Sequence, residues 1–212
     1  MFLEGCNFRC PFCHNGQLLG FDAPEFMSRE AFFAFLEGKK GLLDGVCVTG
    51  GEPTLSAGLS DFLAQIKALG FEVKLDTNGS RPDILKSLLD KGLVDYVAMD
   101  VKNSPEAYAD TVGGPVTLEA LEESLRLLMQ GNTPYELRTT VVSGLHTEAS
   151  VRAMGRWLYG LNGNEKFSKI FLQPFVNRDT VPDQNLLPPE SDKISQYQLV
   201  LNTFAREVFI RG

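Results

Sequence analysis

Three cysteines near the start of the chain have the spacing of metal ligands. Cys6, Cys10 and Cys13 follow the pattern C-x3-C-x2-C and make up three of the four cysteines in 212 residues. Such soft thiolate ligands favour zinc or an iron–sulfur cluster. A structural zinc ion would need a fourth ligand, whereas three cysteines on a four-iron cluster leave one iron open to a small molecule. The triplet therefore predicts a reactive iron–sulfur centre, with a zinc-stapled, non-enzymatic binding module as the alternative.

The overall composition narrows the class of protein. The net charge is −7, and the sequence has no basic stripe that could neutralise phosphates, so no nucleic-acid partner is expected. No apolar run approaches the roughly 18 residues of a membrane span, and Met1 leads almost directly into the cysteines, which predicts no signal peptide. Clustered cysteines plus a lone Cys47 do not resemble a disulfide framework, which favours a reducing, cytoplasmic compartment. Because Cys47 lies in an apolar run, we expect it to face the core.

The chain alternates short β-branched runs with longer amphipathic segments. We expect a very short first strand before Cys6, and the later predicted strands span 45–49, 72–76, 94–101, 136–142 and 169–173. The predicted helices span 28–39, 59–69, 82–91, 118–130, 147–161 and 190–206. This alternation predicts an α/β fold with a parallel sheet. A complete eightfold barrel needs about 250 residues, so we expect a single-domain, partial (open) βα barrel of about six parallel strands over residues 1–212.

Polar and glycine-rich motifs follow the predicted strands at their carboxyl ends, where βα barrels place their chemistry. Asp100 and Lys102 alternate with Val101, so both side chains should lie on one face of a strand. Arg138 lies within the fifth strand, where its guanidinium could hold a carboxylate in a bidentate fork. The motifs in chain order are Cys6–Cys13, Gly50-Gly51-Glu52-Pro53, Asp76-Thr77-Asn78-Gly79, Asp100-Val101-Lys102 and Gln173-Pro174-Phe175.

The cysteine motif, with Phe12 just before its last cysteine, resembles the signature of the radical S-adenosylmethionine (SAM) superfamily. The longer string from Gly5 to Asn15 is similar to the glycyl-radical-enzyme activases. Among these it is most like the anaerobic ribonucleoside-triphosphate reductase activating proteins, with pyruvate formate-lyase activase as a near relative. The resemblance runs from Gly5 to about Phe175, and it implies the partial barrel of that superfamily.

The resemblance also implies a cofactor and a set of site residues. Cys6, Cys10 and Cys13 would hold a [4Fe–4S] cluster, and the amino and carboxylate groups of SAM would complete the coordination of its fourth iron. The other implied SAM-contacting residues are Phe12, Gly50, Gly51, Glu52, Pro53, Asp76, Asn78, Asp100, Lys102 and Arg138, with Asp100 and Lys102 beside the site of hydrogen abstraction. Glycine lets the backbone approach the ligand, and Glu52 is expected to add negative charge nearby.

By the same resemblance, the reaction is reductive cleavage of SAM to place a glycyl radical on a partner enzyme. That partner would be anaerobic ribonucleotide reductase, with flavodoxin or ferredoxin as the electron donor. The alternatives are activation of pyruvate formate-lyase or another glycyl radical enzyme, and a small-molecule radical SAM enzyme similar to deazaguanine synthase. Pyruvate formate-lyase activase has a histidine where this chain has Val176, which leaves one SAM contact unassigned. His146 is expected to be a loop residue beside a helix cap.

Overall fold

The chain forms one parallel β-sheet with its strands in sequential order. The computed structural model describes residues 1–212, and the sheet has seven strands in the order β1 to β7. The strands are β1 Phe2–Leu3, β2 Gly45–Gly50, β3 Glu72–Thr77, β4 Tyr96–Asp100, β5 Tyr135–Val141, β6 Phe167–Pro174 and β7 Ala205–Ile210. The sequential order lacks the reversal of a doubly wound sheet. With β1 and β7 as separate edges, the sheet is the expected open barrel.

Helices connect each strand of the sheet to the next one, from β1 through β7. They are α1 Arg29–Glu37, α2 Leu59–Ala68, α3 Pro82–Asp90, α4 Tyr108–Val112, α5 Leu118–Gln130, α6 Glu148–Leu161 and α7 Ser191–Leu201. Ser28 caps α1 by accepting a hydrogen bond from the Ala31 amide at 3.2 Å, and Pro82 begins α3 at a position that needs no amide donor. None of the helices combines the length and the apolar character that crossing a membrane requires.

The two faces of the sheet differ in chemistry. On β2 and β3, Val46, Val48, Val73 and Leu75 are buried in the core beneath the helices. The alternate residues turn towards the concave face, and Cys47 is one of them. Its predicted core position is therefore wrong, and Cys47 is exposed. An apolar run of three residues in a strand places its middle residue on the face opposite to its neighbours.

The C-terminal part of the chain differs from the predicted single helix over 190–206. Helix α7 ends at Leu201, and after a short turn the chain forms β7, which pairs with β6 from Phe167↔Ala205 to Leu172↔Ile210. The turn at 202–204 contains no glycine or proline to mark it. The number of strands is accordingly seven instead of six. Helix α4 was also missed, because five residues carry too little periodicity to identify a helix.

Candidate functional site

The cysteine loop follows β1 and lies at the carboxyl edge of the sheet. Cys6, Cys10 and Cys13 line one cavity of about 240 Å³. Neighbouring segments hold the loop through its backbone: the Arg9 amide donates to Val112 at 2.9 Å, and Asp183 donates to Pro11 at 3.0 Å. These bonds come from the end of α4 and from the segment after β6. The loop is thus fixed at both flanks of the cavity.

The donor set suits a multi-iron cluster better than one metal ion. No three His, Cys, Asp or Glu side chains lie close enough to share a single ion. A tetrahedral zinc with bonds of about 2.3 Å would draw its sulfur ligands to within about 3.8 Å of each other. A four-iron cluster binds each thiolate through a different iron and therefore accepts a wider triangle. All three thiols are free, and burial raises the pKa of Cys10 to about 11, so metal binding must displace its proton.

The glycine turn after β2 lies directly against the cysteine loop. The amides of Gly51 and Glu52 donate to Leu3 and Gly5 at 2.8 and 2.7 Å. A Cβ atom on Gly51 would lie 2.2 Å from the Gly5 carbonyl oxygen, and Gly50 has a φ of +126°. Only glycine permits this close backbone approach. Gly50 and Gly51 both line the cavity.

Glu52 turns away from the cavity and is fully buried. Its carboxylate accepts hydrogen bonds from the Thr54 amide at 3.1 Å, the Thr77 hydroxyl at 2.7 Å and the Asn78 amide at 2.6 Å. Burial raises the pKa of Glu52, and these hydrogen bonds oppose that rise. The side chain joins the glycine turn to the end of β3. Glu52 and Pro53 are both buried, and they shape the turn without lining the cavity.

Asn78 links the end of β3 to the cysteine loop. Its Nδ2 atom donates to Asn7 Oδ1 at 3.0 Å and lies 3.9 Å from Cys6 Sγ. The Phe8 amide approaches the same sulfur at 3.4 Å. Asn78 lines the cavity, yet its amide already contacts the cysteine loop. Its side chain is thus aimed at the Cys6 sulfur as well as at the cavity.

Ion pairs join the ends of β3, β4 and β5 inside the cavity. Arg138 donates through Nε to Asp100 Oδ1 at 2.9 Å and through Nη1 to Asp76 Oδ2 at 3.0 Å. Lys102 Nζ lies 2.9 Å from Asp100 Oδ2. Burial alone would raise the pKa of Asp100, but Arg138 and Lys102 together lower it to about 2. Asp100 is therefore ionised at neutral pH, and Arg138 is already paired with two carboxylates of the protein.

The ion pairs continue down the concave face as a row of seven charges of alternating sign. Lys74 Nζ lies 3.0 Å from Asp76 Oδ1, although at an angle that makes no hydrogen bond, and 3.8 Å from Glu136 Oε1. Arg211 then pairs with Glu136 through two contacts of 3.1 and 3.2 Å. We call this set the charge row, and its members in order are Lys102, Asp100, Arg138, Asp76, Lys74, Glu136 and Arg211.

Aromatic groups complete one wall of the cavity. Phe12 is buried, and Lys102 Nζ lies 5.9 Å from its ring centroid. His14 stacks on Phe175 with centroids 5.6 Å apart, and its Nε2 atom is 2.7 Å from the Val176 carbonyl oxygen. A histidine of the cysteine loop thus lies against the segment that follows β6. Sequence reasoning assigned no role to several residues that line the cavity, and these are His14, Asn15, Thr49, Thr140 and Gln173.

Sequence reasoning could have found these residues from their position. Thr49, Thr140 and Gln173 each lie near the carboxyl end of a strand. Thr140 is two residues after Arg138 on the same face of β5, and Gln173 pairs in register with Thr140. The structure brings all three cysteines together with Phe12, Gly50, Gly51, Asp76, Asn78, Asp100, Lys102 and Arg138 around one cavity. Three free thiols beside paired charges at the carboxyl edge of an open parallel barrel fit the site of an iron–sulfur enzyme.

Comparison with known proteins identifies the family. The model of the radical SAM superfamily matches residues 1–157, and the chain belongs to this superfamily. Its enzymes use a [4Fe–4S] cluster and SAM, and both cofactors apply to this chain. The chain is 31% identical over 218 residues to a Methanocaldococcus jannaschii protein whose name proposes a glycyl-radical enzyme activating enzyme, covering 100% of this chain and 87% of that protein.

Two further similarities are more limited. The chain is 34% identical over 153 residues to a GTP 3′,8-cyclase of Helicobacter pylori, which covers 68% of this chain and 46% of that protein. The fold is similar to a domain of the pyruvate-formate lyase-activating enzyme of Bacteroides vulgatus, with a TM-score of 0.64 and 20% identity over 79% of this chain and 99% of that one. The structural similarity supports the partial barrel of the superfamily.

Proposed function

We propose that this chain activates a glycyl radical enzyme and that its partner is anaerobic ribonucleoside-triphosphate reductase. The observation that carries the proposal is the similarity to the M. jannaschii protein whose name proposes an activating enzyme, and this similarity extends over 100% of this chain and 87% of that protein. The similarity to the cyclase stops at 68% of this chain. A whole-length match is what a shared activity predicts. The string Cys13-His14-Asn15 favours an activase over a small-molecule enzyme, and the longer string from Gly5 to Asn15 resembles the reductase activating proteins.

We assign the cofactor residues as part of the same proposal. Cys6, Cys10 and Cys13 would hold the cluster, which would supply the electron that splits SAM into methionine and the 5′-deoxyadenosyl radical. That radical would remove a hydrogen atom from Cα of a glycine on the partner. The SAM-contacting residues are Phe12, Gly50, Gly51, Asp76, Asn78, Asp100, Lys102 and Arg138, while Glu52 and Pro53 shape the glycine turn. SAM carries a carboxylate, an ammonium and a sulfonium. A cavity that presents both aspartates and cationic side chains can pair with all three groups.

The cationic side chains of the cavity remain charged in this role. Burial alone would lower the pKa of Lys102, but Asp100 beside it raises that pKa above its ordinary value. The ammonium of Lys102 can therefore donate to a carboxylate at any physiological pH. Arg138 uses Nε and Nη1 for Asp100 and Asp76, which leaves Nη2 as the guanidinium nitrogen without a protein partner. Asp100 and Lys102 together orient the reacting end of the ligand.

The electron donor and the compartment complete the proposal. We propose flavodoxin or ferredoxin as the donor, since one electron must reach a buried cluster in each turnover. Only Cys47 remains outside the triplet, and one cysteine cannot hold an auxiliary cluster. Four free cysteines fit a reducing compartment, and we place the protein in the cytoplasm.

The test is to record a glycyl radical on a defined partner. The anaerobically reconstituted protein is reduced with dithionite, mixed with SAM and either anaerobic ribonucleotide reductase or pyruvate formate-lyase, and examined by electron paramagnetic resonance. We expect a glycyl doublet on the reductase, no doublet with Cys10→Ser, and a normal doublet with Cys47→Ser. A doublet on pyruvate formate-lyase alone would contradict the assigned partner.

A small-molecule substrate is the second candidate, and the similarity to the H. pylori cyclase favours it. The chain aligns with less than half of that protein, so more than half of the cyclase has no aligned counterpart in this chain. Incubation of the reduced protein with SAM and GTP distinguishes the two candidates. A GTP-dependent nucleoside product, detected by mass spectrometry in the absence of any glycyl radical, would replace activation as the function.

A further inference from the structure

His146 is buried beside the segment that carries Lys102. Only 4% of the residue is exposed, and it lies just before Thr147, the cap of α6. Its Nδ1 atom accepts a hydrogen bond from the Val142 amide at 3.1 Å. Its Nε2 atom is 2.8 Å from the Lys102 carbonyl oxygen. The imidazole therefore joins the end of β5 to Lys102, two residues after the end of β4.

The two partners determine which nitrogen carries the proton. An amide can only donate, so Nδ1 must be unprotonated to accept the hydrogen bond from Val142. A carbonyl can only accept, so Nε2 must carry a hydrogen and donate it to Lys102. Burial lowers the pKa of His146, which favours the same neutral form. The Tyr197 hydroxyl donates to the His146 carbonyl oxygen at 2.9 Å and anchors this residue from α7.

The backbone of Lys102 is held on its other side by Tyr108. The Lys102 amide donates to the Tyr108 hydroxyl at 3.2 Å, and that hydroxyl lies 3.4 Å from the Asp100 carbonyl oxygen. Tyr108 is fully buried. Two buried polar side chains therefore fix the peptide groups before and after Lys102. Lys102 lies beyond the end of β4, so these two hydrogen bonds, in place of strand pairing, hold the backbone from which its side chain reaches Asp100.

We propose that His146 is a positioning residue for Lys102. By donating from Nε2 to the Lys102 carbonyl oxygen, it fixes the peptide plane from which the ammonium extends to Asp100 and to the face of Phe12. The inference rests on the proposed contact between Lys102 and SAM. It assigns to His146 a role beyond that of a neighbour of the helix cap. If the Val142 hydrogen bond alone mattered, His146 would stabilise the 142–146 turn and leave the cavity unaffected.

Two substitutions separate these two hydrogen bonds. His146→Asn places an amide oxygen near the position of Nδ1, so it keeps the acceptor for Val142 but loses the donor to Lys102. His146→Gln has the same number of bonds from Cβ to its terminal nitrogen as from Cβ to Nε2, so it keeps the donor but loses the acceptor. Thr147→Ala is the matched control, because it removes the cap of α6 at the next residue without touching either bond.

The experiment measures SAM binding to the oxidised, reconstituted holoenzyme by equilibrium dialysis, together with its thermal unfolding. We expect His146→Asn to weaken SAM binding about tenfold, the effect of losing one buried hydrogen bond. His146→Gln should bind SAM within about threefold of the original chain but unfold at a lower temperature. Thr147→Ala should unfold about 2–4 °C lower and bind SAM normally.

Equal SAM binding by His146→Asn and the original chain would overturn the positioning role, as would equal weakening by both His146 variants. No partner enzyme is present in this assay, so its result is independent of which glycyl radical enzyme is activated. Failure of the original chain to bind SAM would overturn the proposed cofactor site, and the inference with it. Normal SAM binding without a glycyl radical on any partner would overturn the proposed function alone.

Discussion

Replacing Arg138 by methionine tests whether the charge row stabilises the fold. Arg138 is the member that contacts two carboxylates, Asp100 at 2.9 Å and Asp76 at 3.0 Å. Its side chain is only 13% exposed, and those of Asp76 and Asp100 are 14% and 27% exposed. Methionine keeps much of the apolar stem and removes the charge. Both aspartates would then be left partly buried with one lysine each.

The magnitude follows from the pKa of Asp100 and from the burial of the pairs. Lowering that pKa from 3.8 to about 2 corresponds to about 2 kcal/mol, of which Lys102 supplies a part. Removing one partner of a buried ion pair costs about 3–5 kcal/mol. Because each aspartate keeps a lysine and some solvent, we expect Arg138→Met to lower the free energy of unfolding by about 2–3 kcal/mol.

The pH dependence has a definite sign. Asp100 has a folded-state pKa below its ordinary 3.8, so its stabilisation is complete above pH 3.8 and is lost as the pH falls through about 2. In Arg138→Met the pKa of Asp100 lies closer to its ordinary value, so less stability remains to be lost. The difference in stability between the two proteins should therefore narrow as the pH falls from 3.8 towards 2.

Urea unfolding followed by circular dichroism measures these differences. Arg152→Met is the matched control, since Arg152 pairs with Glu148 on the surface of α6 and should contribute within about 0.5 kcal/mol. A double-mutant cycle with Asp100→Asn should show that removing Asp100 costs less once Arg138 is absent. The reasoning is refuted if Arg138→Met costs no more than Arg152→Met, or if the cycle shows no coupling.

Two further predictions concern the cofactor loop. Cys10→Ser should lose most of the iron retained after anaerobic reconstitution, whereas Cys47→Ser should match the original chain in iron analysis, because the exposed Cys47 lies outside the cavity. Equal iron contents would contradict the assigned ligands. Gly51→Ala should lower the free energy of unfolding by about 1–3 kcal/mol and reduce iron retention, because its Cβ would lie 2.2 Å from the Gly5 carbonyl oxygen. Gly160→Ala, whose Cβ meets open space in α6, should leave iron retention unchanged and should not lower the free energy of unfolding, because alanine is the better helix former. A similar loss in both variants would exclude the backbone clash as the cause.

Local signals explain which elements the sequence could predict. The helix predicted over 118–130 has the bounds of α5, because its apolar spacing is regular and Gly131 follows it. Ser28 and Thr147 each mark the start of a helix, because their hydroxyl groups accept a hydrogen bond from a backbone amide of the first turn. Strand β7 has no such signal. It is defined by its pairing with β6, and pairing between distant segments is not written in local periodicity.

In the candidate site, too, some features could be predicted from the sequence and others could not. The residues after the strands could be predicted to converge, because parallel strands end at one edge of the sheet. Their pairing could not be predicted. Arg138 was expected to hold a ligand carboxylate, yet it contacts Asp76 and Asp100, and Glu52 was expected beside the ligand, yet it is buried under the glycine turn. Which donor meets which acceptor depends on side-chain distances across strands that are far apart in sequence.

The charge row also constrains how the concave face can change over time. Each interior member lies between two side chains of opposite sign, so a single neutral replacement leaves two like charges facing across the gap. Replacements that remove a cation and an anion together avoid this repulsion. Arg211 and Glu136 form the end of the row away from the cavity. Replacing both of them together should therefore disturb the side chains that line the cavity less than replacing a pair nearer to it. Drift along this face should therefore proceed by paired substitutions that begin at that end.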